Sequence, residues 1–349
     1  MNWKEIEKRL RKMDWRKVSV GAAIVALTLI AVSVWNLTRQ GYLGDGSEAA
    51  TKAADVTMTF RHPLSGVFID RQVDLPAVYA VMVENSSDAW PQSGVDQAFQ
   101  IIEAPTEGGI PRFLAFFGGD QVVASIGPVR SARPYFIDWA SGYGALYAHI
   151  GGSPAAIRQL NITETVLDFD EYYNQYQFWR SPDRYAPHNV FTSTELLGRG
   201  LAKEYPDRSN WSYSTYHFKD DALLETRPED VEDVVVEFGV NLYRVTWKYD
   251  RLTNSYQRFE NTRAQTMADG APLMANNIIV VTMEMTVLDE IGRLAIETTG
   301  EGKAILFQDG TVKDVSWKKP TVADLMRFYD AEGKEILFNA GQTWIEVVD

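Results

Sequence analysis

Arg112-Phe-Leu-Ala-Phe-Phe117, Pro134-Tyr-Phe-Ile-Asp-Trp-Ala-Ser-Gly-Tyr143, Ala145-Leu-Tyr-Ala-His-Ile150 and Ser153-Pro-Ala-Ala-Ile-Arg-Gln-Leu160 follow one another along the chain with little between them. The first and third are short apolar runs, the pattern of buried strands. The second sets Tyr135, Phe136, Trp139 and Ala140 at helical spacing. The fourth opens with Ser-Pro, a capping residue followed by a first-turn proline. Strand, helix, strand, helix in this order predicts an α/β arrangement.

Reading outward, Val78-Tyr-Ala-Val-Met-Val83 and Ala98-Phe-Gln-Ile-Ile-Glu-Ala104 add two more strand patterns. Gly118-Gly119-Asp120 reads as a hairpin-like turn into a strand at Val122-Val-Ala-Ser-Ile126. Residues 193–204 fit a further helix. Together these predict an α/β domain over residues 59–222 with an arginine-lined cleft. The charged, Pro-containing segment Glu225–Asp233 marks the expected boundary. Beyond it, Val234–Phe238, Tyr243–Tyr249, Ser255–Phe259, Asn277–Met283, Gly292–Thr298, Gly302–Gln308, Thr311–Lys318 and two runs near the end alternate between Asp, Asn and Gly turns. That predicts a second, mostly antiparallel β domain over residues 223–349.

The N-terminal residues bear on location. Val18 to Leu37 carries no charged residue. At about 1.5 Å per residue it covers roughly 30 Å, the thickness of a bilayer core. Residues 1–17 hold seven Lys/Arg against three acids. By the positive-inside rule they form a cytoplasmic segment, 18–38 a single transmembrane helix and 39–58 a flexible Gly/Ala/Ser-rich stalk. The folded part is then extracytoplasmic on the cell membrane. A cleaved signal peptide is the rival reading. It would need an unusually long basic region, and no small-x-small site closes the run. The chain has no cysteine, which excludes a lipid anchor on cysteine, disulfides and thiolate metal sites.

The net charge is −13, and without residues 1–39 it is −18. So acidic a surface argues against nucleic acid as a partner. An anionic ligand would need a local cluster of cations. Arg112, Arg130 and Arg133 supply one, close in sequence to Glu103, Glu107, His149 and several glycines. Arginine offers a planar fork suited to phosphate and carboxylate. Arg130 and Arg133, three apart, would share one side of a helix start if the helix began there. The alternative pairs them with Glu103 or Glu107, which then act as clamps. His149 or Glu103 is the candidate proton carrier, and His188 in Pro187-His-Asn189 a further ligand residue. Metal is not indicated: no third ligand stands at zinc spacing, and a divalent cation is left open. Tyr172, Tyr173, Tyr176, Phe178 and Trp179 form an aromatic run that suits a sugar or lipid groove, though core packing is its commoner use.

The strings PQSGVDQAFQIIEAPTEGGIPRFLAFF, IGPVRSARPYFI, HIGGSP, PHNVFTS and YDAEGKEILFNAGQTWIEVV resemble the YerB family of bacterial exported proteins, across residues 62–348. That family has an N-terminal and a C-terminal domain of no established function. Its members are often lipoproteins, so the resemblance implies an outward location with a different attachment. The order of signals is also similar in layout to the LytR–CpsA–Psr family, which moves glycopolymers from a polyprenyl pyrophosphate lipid. The matching pieces are Ser93–Ile102, Ser125–Arg133 and Leu146–Gly152. The metal site of that family is not reproduced, Ser93-Gly-Val-Asp96 being the nearest match. The expected function is binding, with processing or transfer, of a phosphorylated envelope glycan or polyprenyl lipid-linked precursor. The alternative is a non-catalytic scaffold or regulator of envelope assembly.

Overall fold

In a computed structural model, residues 59–349 are described. The expected cytoplasmic segment, transmembrane helix and stalk lie outside the described residues. Among the described residues no helix is long and apolar enough to cross a membrane.

The central element is a ten-stranded sheet. In chain order its strands are β1 (Val78–Glu84), β2 (Gln100–Pro105), β3 (Pro111–Gly118), β4 (Leu146–His149), β5 (Leu167–Asp170), β6 (Asn277–Thr282), β7 (Gly300–Gln308), β8 (Thr311–Lys319), β9 (Arg327–Tyr329) and β10 (Thr343–Val348). Their spatial order is β9-β8-β7-β6-β10-β2-β3-β1-β4-β5. β1, β4 and β5 are mutually parallel. So are β2, β10 and β6. β3 runs antiparallel between the two groups. The carboxyl ends of all six parallel strands, from Glu84 and His149 to Val348, therefore lie along one edge of the sheet.

Alternation along the strands divides the core into two faces. Val78, Ala80 and Met82 point to one face, with Tyr135, Phe136 and Trp139. These last belong to helix α1 (Pro134–Ser141), and helix α2 (Pro154–Leu160) packs on the same side through Ala156 and Leu160. Tyr79, Val81 and Val83 point to the other face. There they meet Leu197 of helix α3 (Thr194–Glu204) and the apolar side of a smaller sheet. That sheet is built from Val234–Val236, Val245–Asp250, Ser255–Glu260, Arg263–Ala264 and Met274–Ala275. The expected α/β pattern is present in the first half, and the second half is mostly β.

Two local expectations require correction. Residues 122–126 are not a strand paired through a hairpin. The Gly118 N–H bonds instead to the Gln121 side chain, and Val122 is exposed. The segment then crosses the sheet's edge, bridging Ser93, Thr192 and Val83 through Gly127, Ile126 and Val129. Arg130 and Arg133 do not share a helix face, because α1 begins at Pro134 with Arg133 at its N-cap and Arg130 outside it. The main sheet continues across the change of pattern near residue 223. β10, from the second half, pairs with β2 of the first over Thr343↔Gln100 to Glu346↔Glu103.

Candidate functional site

In open sheets with parallel strands, ligands sit outside the carboxyl ends. Most of the residues singled out above collect there. Arg112 starts β3 and is register partner to Glu84 at the end of β1. His149 ends β4. Glu107 lies in the loop joining β2 and β3, and Arg130 to Arg133 approach α1 from the same side.

The three guanidinium groups converge on carboxylates. Arg133 forms a two-point fork with Glu107, Nε to Oε1 and Nη2 to Oε2, both 2.7 Å. Arg112 lies 4.0 Å from the same carboxylate and donates to the Ser131 carbonyl at 2.8 Å. Burial, with Arg133 beside it, lowers Arg112 to about 10. Burial works against charge on Glu107, but Arg133 and then Arg112 hold it below the usual carboxylate range. Arg130 Nε is 3.2 Å from Glu84 Oε1, off the hydrogen-bonding direction, and that nitrogen has no donor bond. His188 Nδ1 meets the other Glu84 oxygen at 2.9 Å. Three arginines therefore face two carboxylates, with one formal positive charge in excess.

The two expected proton carriers are both committed elsewhere. His149 is fully buried, with Nδ1 on the Gly151 carbonyl at 2.8 Å and Nε2 on Asp168 Oδ1 at 2.7 Å. Neither ring nitrogen is free for a ligand. Glu103 is also fully buried, bonded at 2.7 and 2.8 Å to Arg258 rather than to an arginine of the loop. Trp344 donates to it at 3.2 Å, and Arg258 also holds Glu260 and Gln265. The Arg258 guanidinium lies 5.3, 5.9 and 5.2 Å from the rings of Phe113, Trp247 and Trp344. Arg258 and Glu103 are both fully buried, so this is an internal clamp. Among the described residues no group of three metal-ligating side chains converges. The Ser93 backbone bridges Gly127, and Asp96 sits in a single helical turn at residues 95–97.

His188 lines an open space of about 630 Å³ with Trp90, Arg184 and Tyr185, and a cleft of about 450 Å³ beside these networks is lined by Ser131, Gly151, Gly152, Asp168, Asp170, Tyr172 and Tyr173 among others. Gly151 has φ of +55°, and a Cβ there would come within 2.9 Å of the Tyr172 ring. Glycine therefore lets Tyr172 lie against the backbone. Asp170 Oδ1 accepts from the N–H groups of Gly151 and Tyr172 at 2.9 and 3.1 Å. Each aspartate uses Oδ1 for these contacts, and among the described residues Oδ2 carries none. The aromatic run divides. Phe178 is core, while Tyr172, Tyr173 and Tyr176 are 68, 86 and 83 % exposed, so core packing does not explain them. Sequence reasoning missed Asp168 and Asp170, although Leu167-Asp-Phe-Asp170 sets two carboxylates on one side of a short strand around a buried Phe.

Comparison with known proteins places the chain. Residues 64–209 match the family model described as "Protein of unknown function (DUF3048) N-terminal domain", and residues 234–345 match its C-terminal domain. The protein named "Putative lipoprotein YerB" of Bacillus subtilis (strain 168) is 32% identical over 305 residues, 84% of this chain and 88% of its own. The crystal structure of YerB from Bacillus subtilis superposes with a TM-score of 0.73 at 30% identity, covering 83% of this chain and 97% of the other. The chain belongs to the DUF3048 family, whose two domains flank the segment where the sequence pattern changes.

Proposed function

We propose that this member of the DUF3048 family is a membrane-tethered, extracytoplasmic envelope protein that binds a glycan in the cleft at the carboxyl ends of β4 and β5. The observation that carries the reading is the cleft itself. Exposed tyrosines stand beside two aspartates, each with an oxygen to spare. Tyrosine rings offer flat apolar faces to sugar rings, and carboxylate oxygens accept from hydroxyl groups. Outward location is supported by the basic segment before Val18–Leu37 and by a relative named as a lipoprotein. A phosphate on the glycan would lie toward Arg130, whose Nε lacks a donor bond.

Binding is favoured over transfer because both expected proton carriers are engaged. The scaffold alternative draws its support from the Arg133–Glu107 fork, which gives that arginine a structural partner. A binding assay separates the two. The probes are an N-acetylglucosamine oligosaccharide and the same oligosaccharide bearing a terminal phosphate, titrated against the parent and Tyr172→Ala. Tyr172 is exposed, so the substitution leaves stability within about 0.5 kcal/mol. Loss of affinity of at least tenfold is the expected result, or about 1.4 kcal/mol. Failure of the parent to bind either sugar leaves the scaffold reading standing.

A further inference from the structure

A second concave site lies on the same edge of the sheet, where β2 and β10 end at Pro105 and Val348. It is a cavity of about 500 Å³, within the range of small-molecule sites. Its apolar wall includes Phe238, Met285, Val287, Leu294 and Val348, and backbone at Gly108 and Gly239 completes it. A Cβ built on either glycine would touch nothing within 4 Å, so the space beside them is open.

One side is a small hairpin, Met285–Val287 paired with Leu294–Ile296, separate from both larger sheets. Its turn carries three exposed aliphatic side chains, Val287, Leu288 and Ile291, at 66, 60 and 69 % exposure. Asp289 holds the turn in shape, accepting from the N–H groups of Ile291 and Arg293 at 3.1 and 3.2 Å and from Arg293 Nε at 2.6 Å. Of these, Val287 lines the cavity, and Leu288 and Ile291 continue the exposed apolar turn beyond it, so covering them would be favourable. The charged groups lining the cavity are Glu237, which has Arg244 Nε 3.4 Å from its Oε1, and Asp349.

We propose that this cavity takes the aliphatic chain of an amphiphile whose head is uncharged and rich in hydroxyl groups. The chain satisfies the apolar wall and the exposed rim. Both carboxylates can accept from hydroxyls, and that of Asp349, which has no cation partner among the described residues, repels an anionic head. A concave volume fits a single chain better than a flat bilayer surface does, and the Asp349 carboxylate opposes an anionic bilayer. The cavity is distinct from the glycan cleft, so its occupancy can be tested without reference to sugar binding there.

The test is calorimetric titration of the protein spanning residues 59–349 with monomeric n-decyl-β-maltoside, with maltose and decyl sulfate alongside. The maltoside binds with a negative heat-capacity change, the mark of apolar burial. Maltose does not bind, and decyl sulfate binds more weakly. Val287→Asp weakens the maltoside at least tenfold while the melting temperature is unchanged. Ile162→Asp, at an exposed aliphatic outside the cavity lining, binds as the parent does. The proposal is overturned if the parent binds no monomeric maltoside, if Val287→Asp binds it equally, or if decyl sulfate binds more tightly. Attachment to phosphatidylcholine vesicles without uptake of the monomer would overturn it in favour of membrane contact by the hairpin.

Discussion

Arg258 is the one cation among three carboxyl groups that have almost no water. Glu103, Glu260 and Glu346 all lie within its reach, and burial raises all three above their usual range, with Arg258 opposing. The charge of Glu346 adds to the rise at Glu103. Burial disfavours charge on Arg258 too, but Glu103 and its neighbours outweigh that and raise it. One guanidinium cannot neutralise three carboxylates, so the folded state binds more protons than the unfolded chain. The sign follows from linkage: stability from these groups is full below the unfolded carboxyl value of about 4.3 and is lost as pH rises through the folded values. Glu346 is the least well held, since Oε2 has no partner while Oε1 accepts from Trp247 at 2.8 Å. Glu346→Gln removes a carboxyl that burial raises, so it is expected to stabilise the protein at pH 8 and to flatten the decline as pH rises. Urea unfolding of parent and variant from pH 5 to 9 measures both. Parallel profiles would mean that Glu346 is already neutral throughout.

Helix α3 owes its position to a missing side chain. A Cβ at Gly200 would lie 2.1 Å from Cζ of Phe169, which is itself fully buried in β5. Alanine is the better helix former by about 1 kcal/mol, but the overlap is with a ring that has no room to retreat, and overpacking costs about 1–3 kcal/mol. The clash wins, so Gly200→Ala should lower stability despite its propensity. Phe169 stands between Asp168 and Asp170, so the same variant should weaken ligand at the cleft without touching it. Thermal melting and oligosaccharide titration on one preparation check the pair of effects. A stabilised variant would show that α3 is free to shift outward. The helix over residues 193–204 was legible from its sequence, as were the strands around 78–83, 98–104, 112–117 and 145–150, because each is a local apolar pattern. The glycine's purpose was not, since its neighbour is distant in sequence. The same reason hid the course of residues 121–133, whose partners are Ser93, Thr192 and Val83. It also hid the partner of Glu103, an arginine in Ser255–Glu260. One signal was readable there: strict alternation puts Arg258 and Glu260 on the buried side with Tyr256.

At the scale of the whole molecule, the two halves of the sequence share one sheet and one buried charge cluster, and the described residues pack as one unit. β2 is the central case. All six of its residues are buried, and it lies between β3 of the first half and β10 of the second. Cutting the chain at residue 222 would leave β2 as an open edge with apolar residues on both faces, a template for aggregation. It would also strip Glu103 of Arg258 and leave a buried carboxylate unpaired, which costs about 3–5 kcal/mol where one partner of a buried pair is removed. The complementary fragment fares no better, because β10 loses β2 and becomes an open edge. Neither 59–222 nor 223–349 should therefore show a cooperative unfolding transition alone, whereas 59–349 should unfold in one step. Protease can still cut the charged connection at residues 225–233, and the two pieces should then remain associated through β2 and β10. Tryptophan fluorescence, far-ultraviolet circular dichroism and calorimetry on the three proteins decide the matter, with coincident curves for 59–349 as the expected result. A fragment that melts cooperatively by itself, or two separated transitions in the whole, would mean that the β2–β10 ladder is a contact between two independent folds rather than the middle of one.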